Sequence, residues 1–454
     1  MGWIASGAQF ALLGTIIGFA LLGYGGFINR WHGIGLLLLM APFYGFLRFV
    51  VGLSSQQIII KELMVVVITA STLAVHKAIR LTKITRYPHD TILGIFLFLL
   101  IVQLLRTPDP VMGVLGLRVL ATYIPLYYVI RYENPPVQSV RRMLAVVFTV
   151  VIITAVYGLW QAVIGKTRLM ELGLDKMGTS IGASGVSNPE ALRIFGTYAG
   201  PEYFGATLIM TILLAMSLWY KTRLKLLKII LPITAAAMIL AVGLTLVRIE
   251  WMMLAIGFVI LSAILRRYYL IPIMIAMSII AVLVAPGPIV ERARFSFGQE
   301  DESYTARTEV YTKWNISNVS ENMLGTGLGT TNAASIYGRL GQRNIVTNLL
   351  GGGNTESWYT AMAIETGIAG LLVYLWLQVA IIRFGLLIVR TSRDPTLPWL
   401  AAGFVSFTGA MLVANAVTPM SACFPAGDLY FWVLLGLLTA LYDREQADTP
   451  EAVT

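Results

Sequence analysis

The chain has 454 residues, of which 57% are hydrophobic and only 12% charged, and its mean hydropathy is +0.76. A soluble domain of this length is excluded, because uncharged stretches of about 20 residues recur throughout, as in a polytopic membrane protein. The net charge of +10 would suggest nucleic acid in a soluble protein. Here, however, Lys and Arg fall in short clusters between apolar stretches, the pattern that sets membrane orientation, and nucleic acid is set aside as a partner.

The predicted elements are helical spans: 8 to 28, 34 to 53, 62 to 79, 91 to 105, 111 to 130, 142 to 164, 201 to 220, 229 to 247, 249 to 265, 268 to 285, 358 to 382, 397 to 417 and 428 to 442. The fold class is therefore all-α, a polytopic transmembrane bundle of about 12 to 14 helices. The opening "MGWIASGAQF" lacks the positive region of a signal peptide, so the first span is read as retained. Basic residues follow alternate spans: Arg30; Arg80, Lys83 and Arg86; Arg131, Arg141 and Arg142; Lys221, Arg223, Lys225 and Lys228; Arg266 and Arg267; Arg383, Arg390 and Arg393; Arg444. The positive-inside rule puts these in the cytoplasm, with the C-terminus inside and the N-terminus outside.

Two long segments then lie outside. The chain divides into N-terminal spans (1–164), a first outer loop (165–200), central spans (201–285), a large, partly helical outer loop (286–357) and C-terminal spans with a short cytoplasmic tail (358–454). In "SYTARTEVYTKWNISNV", Arg307, Tyr311 and Trp314 recur at i, i+4 and i+7, which predicts an amphipathic helix on the membrane surface. No internal repeat is visible, which counts against inverted-repeat transporter folds.

By this topology Arg193, Arg248, Arg307 and Glu356 all reach the outer side. An arginine at the bilayer centre costs about 2.5–3.5 kcal/mol on insertion scales, so even near the boundary it is expected to be paired or employed. Three arginines with one carboxylate suit an anionic ligand. Each also has a plainer reading. Arg248 with Glu250 caps a helical hairpin; Arg193 anchors its span at lipid phosphate; Arg307 pairs with Glu302 or Glu309; Glu356 is a helix N-terminal acid favoured by the dipole. Tyr198, Tyr203, Tyr311, Trp314, Trp358 and Tyr359 either stack on sugars or form the interfacial aromatic belt. Arg48, inside its span, snorkels or lines the same cleft. "GTGLGT" lacks the ending of a Walker A loop and reads as a turn, or as a backbone contact to sugar or phosphate. Cys423, the single cysteine, permits no internal disulfide and no cysteine-based metal site, and His32, His76 and His89 are remote in sequence from Glu356.

Three blocks, "RIFGTYAGPEYFGA", "LTLVRIEWMMLA" and "RTEVYTKWNISNVSENMLGTGLGT" leading to "ESWYTAMAIETGIAG", resemble in order and spacing the O-antigen ligase and polymerase superfamily over roughly residues 190 to 372. These enzymes transfer lipid-linked glycans on the outer face of the bacterial inner membrane. The resemblance implies that Arg193 and Arg248 fall on the family's catalytic arginines. Counting back from Glu365 and Gly367, Glu356 falls on its helix-leading histidine, while Ser357 replaces an Asn and Val247 a Ser.

The reaction it implies takes a glycan from a polyprenyl-diphosphate donor in the bilayer to a hydroxyl of a glycan or lipid acceptor. The leaving group is already a stabilised anion and needs no general acid. Arginines on the diphosphate and Glu356 as general base suffice, by single displacement with inversion and with no metal or other cofactor. Arg307, Tyr198, Tyr203, Tyr311, Trp314 and Arg48 are the substrate-binding candidates, and a chain-length regulator is a further expected partner. The missing histidine favours polymerase over ligase. A flippase for the same lipid is the competing class, though transporters hold their polar residues near the midplane, whereas here they gather at helix ends.

Overall fold

The computed structural model describes residues 30–46, 59–75, 85–174, 192–284, 287, 289–290, 316–331, 357–423 and 425–448. Their regular structure is helical: α1 (Arg30–Met40), α2 (Ile59–Val75), α3 (Pro88–Arg106), α4 (Pro110–Ala121), α5 (Ile124–Glu133), α6 (Val137–Glu171), α7 (Pro201–Lys221), α8 (Lys225–Leu244), α9 (Arg248–Leu265), α10 (Leu270–Val284), the short α11 (Ile316–Glu321), α12 (Trp358–Thr391), α13 (Leu397–Ala414) and α14 (Phe431–Asp448). Twelve expected spans, from 34–53 onward, each overlap one of these helices or the bent pair α4–α5; the span expected at 8–28 lies outside the described residues. Among the described residues seven helices are long and apolar enough to cross a membrane alone, or eight when α4 and α5, bent by 46°, are counted as one span. The protein is a multi-pass, all-α membrane bundle.

Local sequence sets several helix starts. Proline stands in the first turn of α3, α4, α7 and α13, where its missing N–H goes unneeded, and the Asp109 carboxylate accepts from Val111 N (2.9 Å) to cap α4. Two helices run longer than expected. α6 passes a non-helical Gly165 (φ 78°) and continues to Glu171, into what reads as the first outer loop, and α12 passes a similar break at Gly367 (φ 75°).

α7 and α13 occupy the middle of the bundle. About three-quarters of the apolar window of each is buried, 78% and 72%, against 28–39% for the other long helices, which face lipid. α8 and α9 pack on α7, and α9 and α12 on α13. The residues of the basic clusters come together at one end. There Arg131 binds Asp90 and Asp443, Arg30 pairs with Glu133, Arg141 Nη2 reaches Thr396 Oγ1 (3.3 Å), Arg444 Nη2 donates to Asn134 O (2.6 Å), and Arg267 and Lys221 lie over the rings of Tyr220 and Trp399. The opposite end carries the turn from α8 to α9, the start of α7 and the start of α12.

Candidate functional site

The site grows from the turn at Thr245–Val247. Three residues reverse the chain between α8 and α9, and Leu246 does so in the left-handed region (φ 56°) while buried. A non-glycine residue in that region is uncommon and costs on the order of 1 kcal/mol, so its surroundings must hold it there. Arg248 is the first residue of the helix that follows.

The strand-like segment before α7 lies against this turn. Ile194 N donates to Leu244 O (3.2 Å), Arg193 Nε donates to Thr245 O (3.3 Å), and Arg193 Nη2 pairs with Glu202 Oε1 (2.7 Å) in the first turn of α7. The structure thus brings Arg193 and Arg248, 55 positions apart in sequence, to the two sides of one turn. Gln161 of α6 holds the rest of the segment. Its Oε1 accepts from Gly196 N (2.9 Å) and Phe195 N (3.2 Å), and its Nε2 donates to Gly196 O (2.8 Å). Thr197 Oγ1 adds a bond to Pro42 O (2.6 Å).

Glu250, in the first turn of α9, is wholly buried, and Thr245 Oγ1 lies 2.7 Å from its Oε2. Tyr198 and Tyr203 flank the segment differently from the expectation that both touch substrate. Tyr198 is 1% exposed and packs on Phe204 (5.4 Å between centroids), so its ring fills the core and does not present a face to a sugar; Tyr203 is half-buried. Glu356, Arg307, Tyr311, Trp314 and Arg48 lie outside the described residues.

Ser357 supplies the cap of α12: its Oγ accepts from Thr360 N (3.4 Å) and donates to Asn415 O (3.2 Å) at the end of α13. Asn415 in turn accepts from Ser421 N (2.8 Å) and donates to Ser421 Oγ (2.6 Å), which meets Tyr374 OH (2.8 Å). This buried network joins α12 to the end of α13 and to the turn Met420–Ala422 that follows it.

The "GTGLGT" run is a turn, as the first of its two readings holds, and part of its backbone is occupied. Gly329 N and Thr331 N donate to the two carboxylate oxygens of Glu365 (2.9 and 3.0 Å), and Leu328 N donates to Thr107 Oγ1 (2.9 Å). Gly329 takes φ 75° and sits so close to Gly116 of α4 that a Cβ on either would strike backbone. The amides that could cradle a phosphate hold an internal carboxylate instead.

Sequence reading also passed over a second charged group. Arg118 Nε and Nη2 bind Glu62 Oε1 (both 2.8 Å), with Lys61 Nζ 3.5 Å from the same oxygen. Arg118, eight residues into the expected span 111–130, was the available signal. Among the described residues no group of three or more His, Cys, Asp or Glu is placed to hold a metal ion.

Residues 233–375, from within α8 through α9 and α10 to α12, match the family model described as O-antigen ligase. No curated protein matches the chain. The matched residues include Arg248, the Glu365 loop and the capped start of α12, and they support a glycosyl-transfer function in the membrane. The match over residues 233–375 supports the resemblance of the chain to the O-antigen ligase and polymerase superfamily.

Proposed function

We propose that the protein transfers a glycan from a polyprenyl-diphosphate donor to an acceptor hydroxyl at the membrane's outer face, polymerising a polysaccharide in preference to ligating it. The observation that carries this reading is that Arg193 binds the carbonyl of Thr245 in the short turn that Arg248 follows, at the end of the bundle away from the basic clusters. A helix N-terminus already bears about half a positive charge and favours anions, so Arg248 there is not a stabilising surface cation. Adding two guanidinium groups concentrates positive charge where a departing diphosphate needs it.

Glu356 completes the reading as general base. Its plain alternative is a helix N-terminal acid favoured by the dipole, and the side-chain cap of α12 is already supplied by Ser357. Glu356 precedes that serine by one residue, and Asn415 ties the serine to the end of α13. A carboxylate there has only to reach the acceptor hydroxyl, since the diphosphate leaves as an anion without a general acid or a metal.

The test uses purified protein with a synthetic polyprenyl-diphosphate glycan and gel analysis of the products. Wild type is expected to yield a ladder of lengthening chains, and Arg248→Ala and Glu356→Gln to yield none. A single transfer onto a lipid acceptor without a ladder marks a ligase. Full activity in both variants removes the assignment.

A further inference from the structure

We propose that Glu250 is a positioning residue for the arginine pair: its buried carboxyl, seated between Thr245 and the bare backbone of Gly205, fixes the turn on which Arg193 and Arg248 meet. This rests on the reading above that the arginines hold the donor. Burying a carboxyl costs several kcal/mol unless it is well partnered, yet Glu250 is 0% exposed and its Oε1 has no hydrogen-bond partner among the described residues. An acid in the first turn of a helix ordinarily reaches back to the cap residue's own N–H. Glu250 instead reaches past Val247 to the Thr245 side chain.

Thr245 is where this contact gains its consequence. Its carbonyl accepts from Arg193 Nε, and its hydroxyl accepts from Val247 N (3.3 Å), the residue before Arg248. That hydroxyl has one proton but stands 2.7 Å from two acceptors, Val242 O and Glu250 Oε2. A protonated carboxyl would satisfy the second contact, and an amide side chain would supply the same donor. Moving Glu250 thus moves both bonds that Thr245 makes toward the arginines, and it releases the strained Leu246 between them.

The third wall is α7. A Cβ built on Gly205 would overlap the Glu250 carboxyl, so a methyl there has to displace that side chain. Gly205 lies one turn after Glu202, the ion-pair partner of Arg193. One carboxyl therefore registers α7, α9 and the turn against one another, and all three carry or hold the arginines.

The experiment measures initial transfer rates of the purified protein against synthetic polyprenyl-diphosphate glycan, beside melting in detergent. Glu250→Ala is expected to raise KM for the donor and lower kcat/KM by about tenfold or more, while Glu250→Gln stays within about threefold. Gly205→Ala alone is expected to resemble Glu250→Ala, and adding it to Glu250→Ala should cost nothing further, because the truncated side chain leaves room for the methyl. A Glu250→Ala protein with wild-type kcat/KM, or losses from the two sites that simply add, overturns the positioning role. If Glu250→Ala does not fold, Glu250→Gln and Gly205→Ala decide it: a Gln variant as defective in KM as Gly205→Ala also overturns it. Arg248→Ala is measured in parallel. Its full activity would sink the donor reading itself, whereas its loss beside an unaffected Glu250→Ala sinks the positioning role alone.

Discussion

At the basic end, the Arg131 side chain is 1% exposed and its terminal nitrogens are met on every side: both oxygens of Asp90 (3.1 Å each), Asp443 (3.2 Å), Tyr127 OH (2.8 Å) and the carbonyl of Thr85. The rings of Tyr87 and Tyr127 lie 5.5 and 5.3 Å from its guanidinium carbon. At the other end, Arg193 is 18% exposed and has one carboxylate, itself 36% exposed, and one carbonyl. Both arginines sit where helices meet. A guanidinium with five donors that is closed by two acids and two rings fastens α3, α5 and α14; one that keeps donors toward solvent beside a helix N-terminus has capacity left for an anion. Closure by acids and rings, more than burial, separates a fastening from a ligand-holding cation.

The sharpest way to break this contrast is Arg131→Met. It leaves Asp90 and Asp443, 11% and 24% exposed, without the buried cation they share, and breaking a buried pair costs up to about 3–5 kcal/mol. A large fall in melting temperature in detergent is expected, and unchanged melting would mean the network fastens nothing. Arg193→Ala should behave in the opposite way. Its partly exposed ion pair contributes about 0–1 kcal/mol to stability, so melting should barely move. Transfer should fall by about a hundredfold or more, the usual effect of removing one donor from a stabilised anion. Were Arg193→Ala to unfold the protein while folded molecules kept full activity, the two arginines would be alike.

The two ends were not equally legible. Hydropathy reports which stretches face lipid or core, and alternate Lys and Arg clusters report which helix ends share a side. The bundle and the gathering of Arg193 with Arg248 at the far end follow from those signals alone. The contacts that build the site do not, because packing sets them. Glu250 meets Gly205 only once α7 lies on α9, and in sequence it read as a simple cap beside Arg248. Gln161 is one polar residue in an apolar span, without a sign that it grips the Gly196 backbone. Tyr198 shows the limit from the other side, since an aromatic near an expected membrane boundary suits a sugar or a headgroup equally until its burial is known.

A further test sharpens the contrast within the far end. Glu365 holds a loop in place and the arginines hold charge, so Glu365→Ala should act on stability and order before chemistry. It leaves the amides of Gly329 and Thr331 without their acceptor, at about 1–3 kcal/mol for such buried donors. Faster hydrogen exchange across residues 324–331 is the expected signature. Glu365→Gln, which keeps an acceptor oxygen, should recover much of it. Equal exchange in wild type and Glu365→Ala would show that the loop is fixed without the carboxylate, by the bonds of Thr326 N and Gly327 N to the carbonyls of Ile364 and Glu365 and by Thr107, Gln103 and Arg106.

The smallest effect belongs to Tyr87→Phe at the basic end. The hydroxyl donates to Asp443 Oδ1 (2.6 Å), while the ring lies under Arg131 and packs on His89 and Phe384. Phenylalanine keeps every ring contact and removes one bond, and Asp443 retains Arg131, so the loss should be about 1 kcal/mol. Because Tyr87 sits at the opposite end of the bundle from the arginine turn, glycan transfer by the folded protein should be unaltered. Reduced transfer at unchanged melting temperature would place the basic end within the reaction, and closure by acids and rings would then fail as the mark of a purely structural cation.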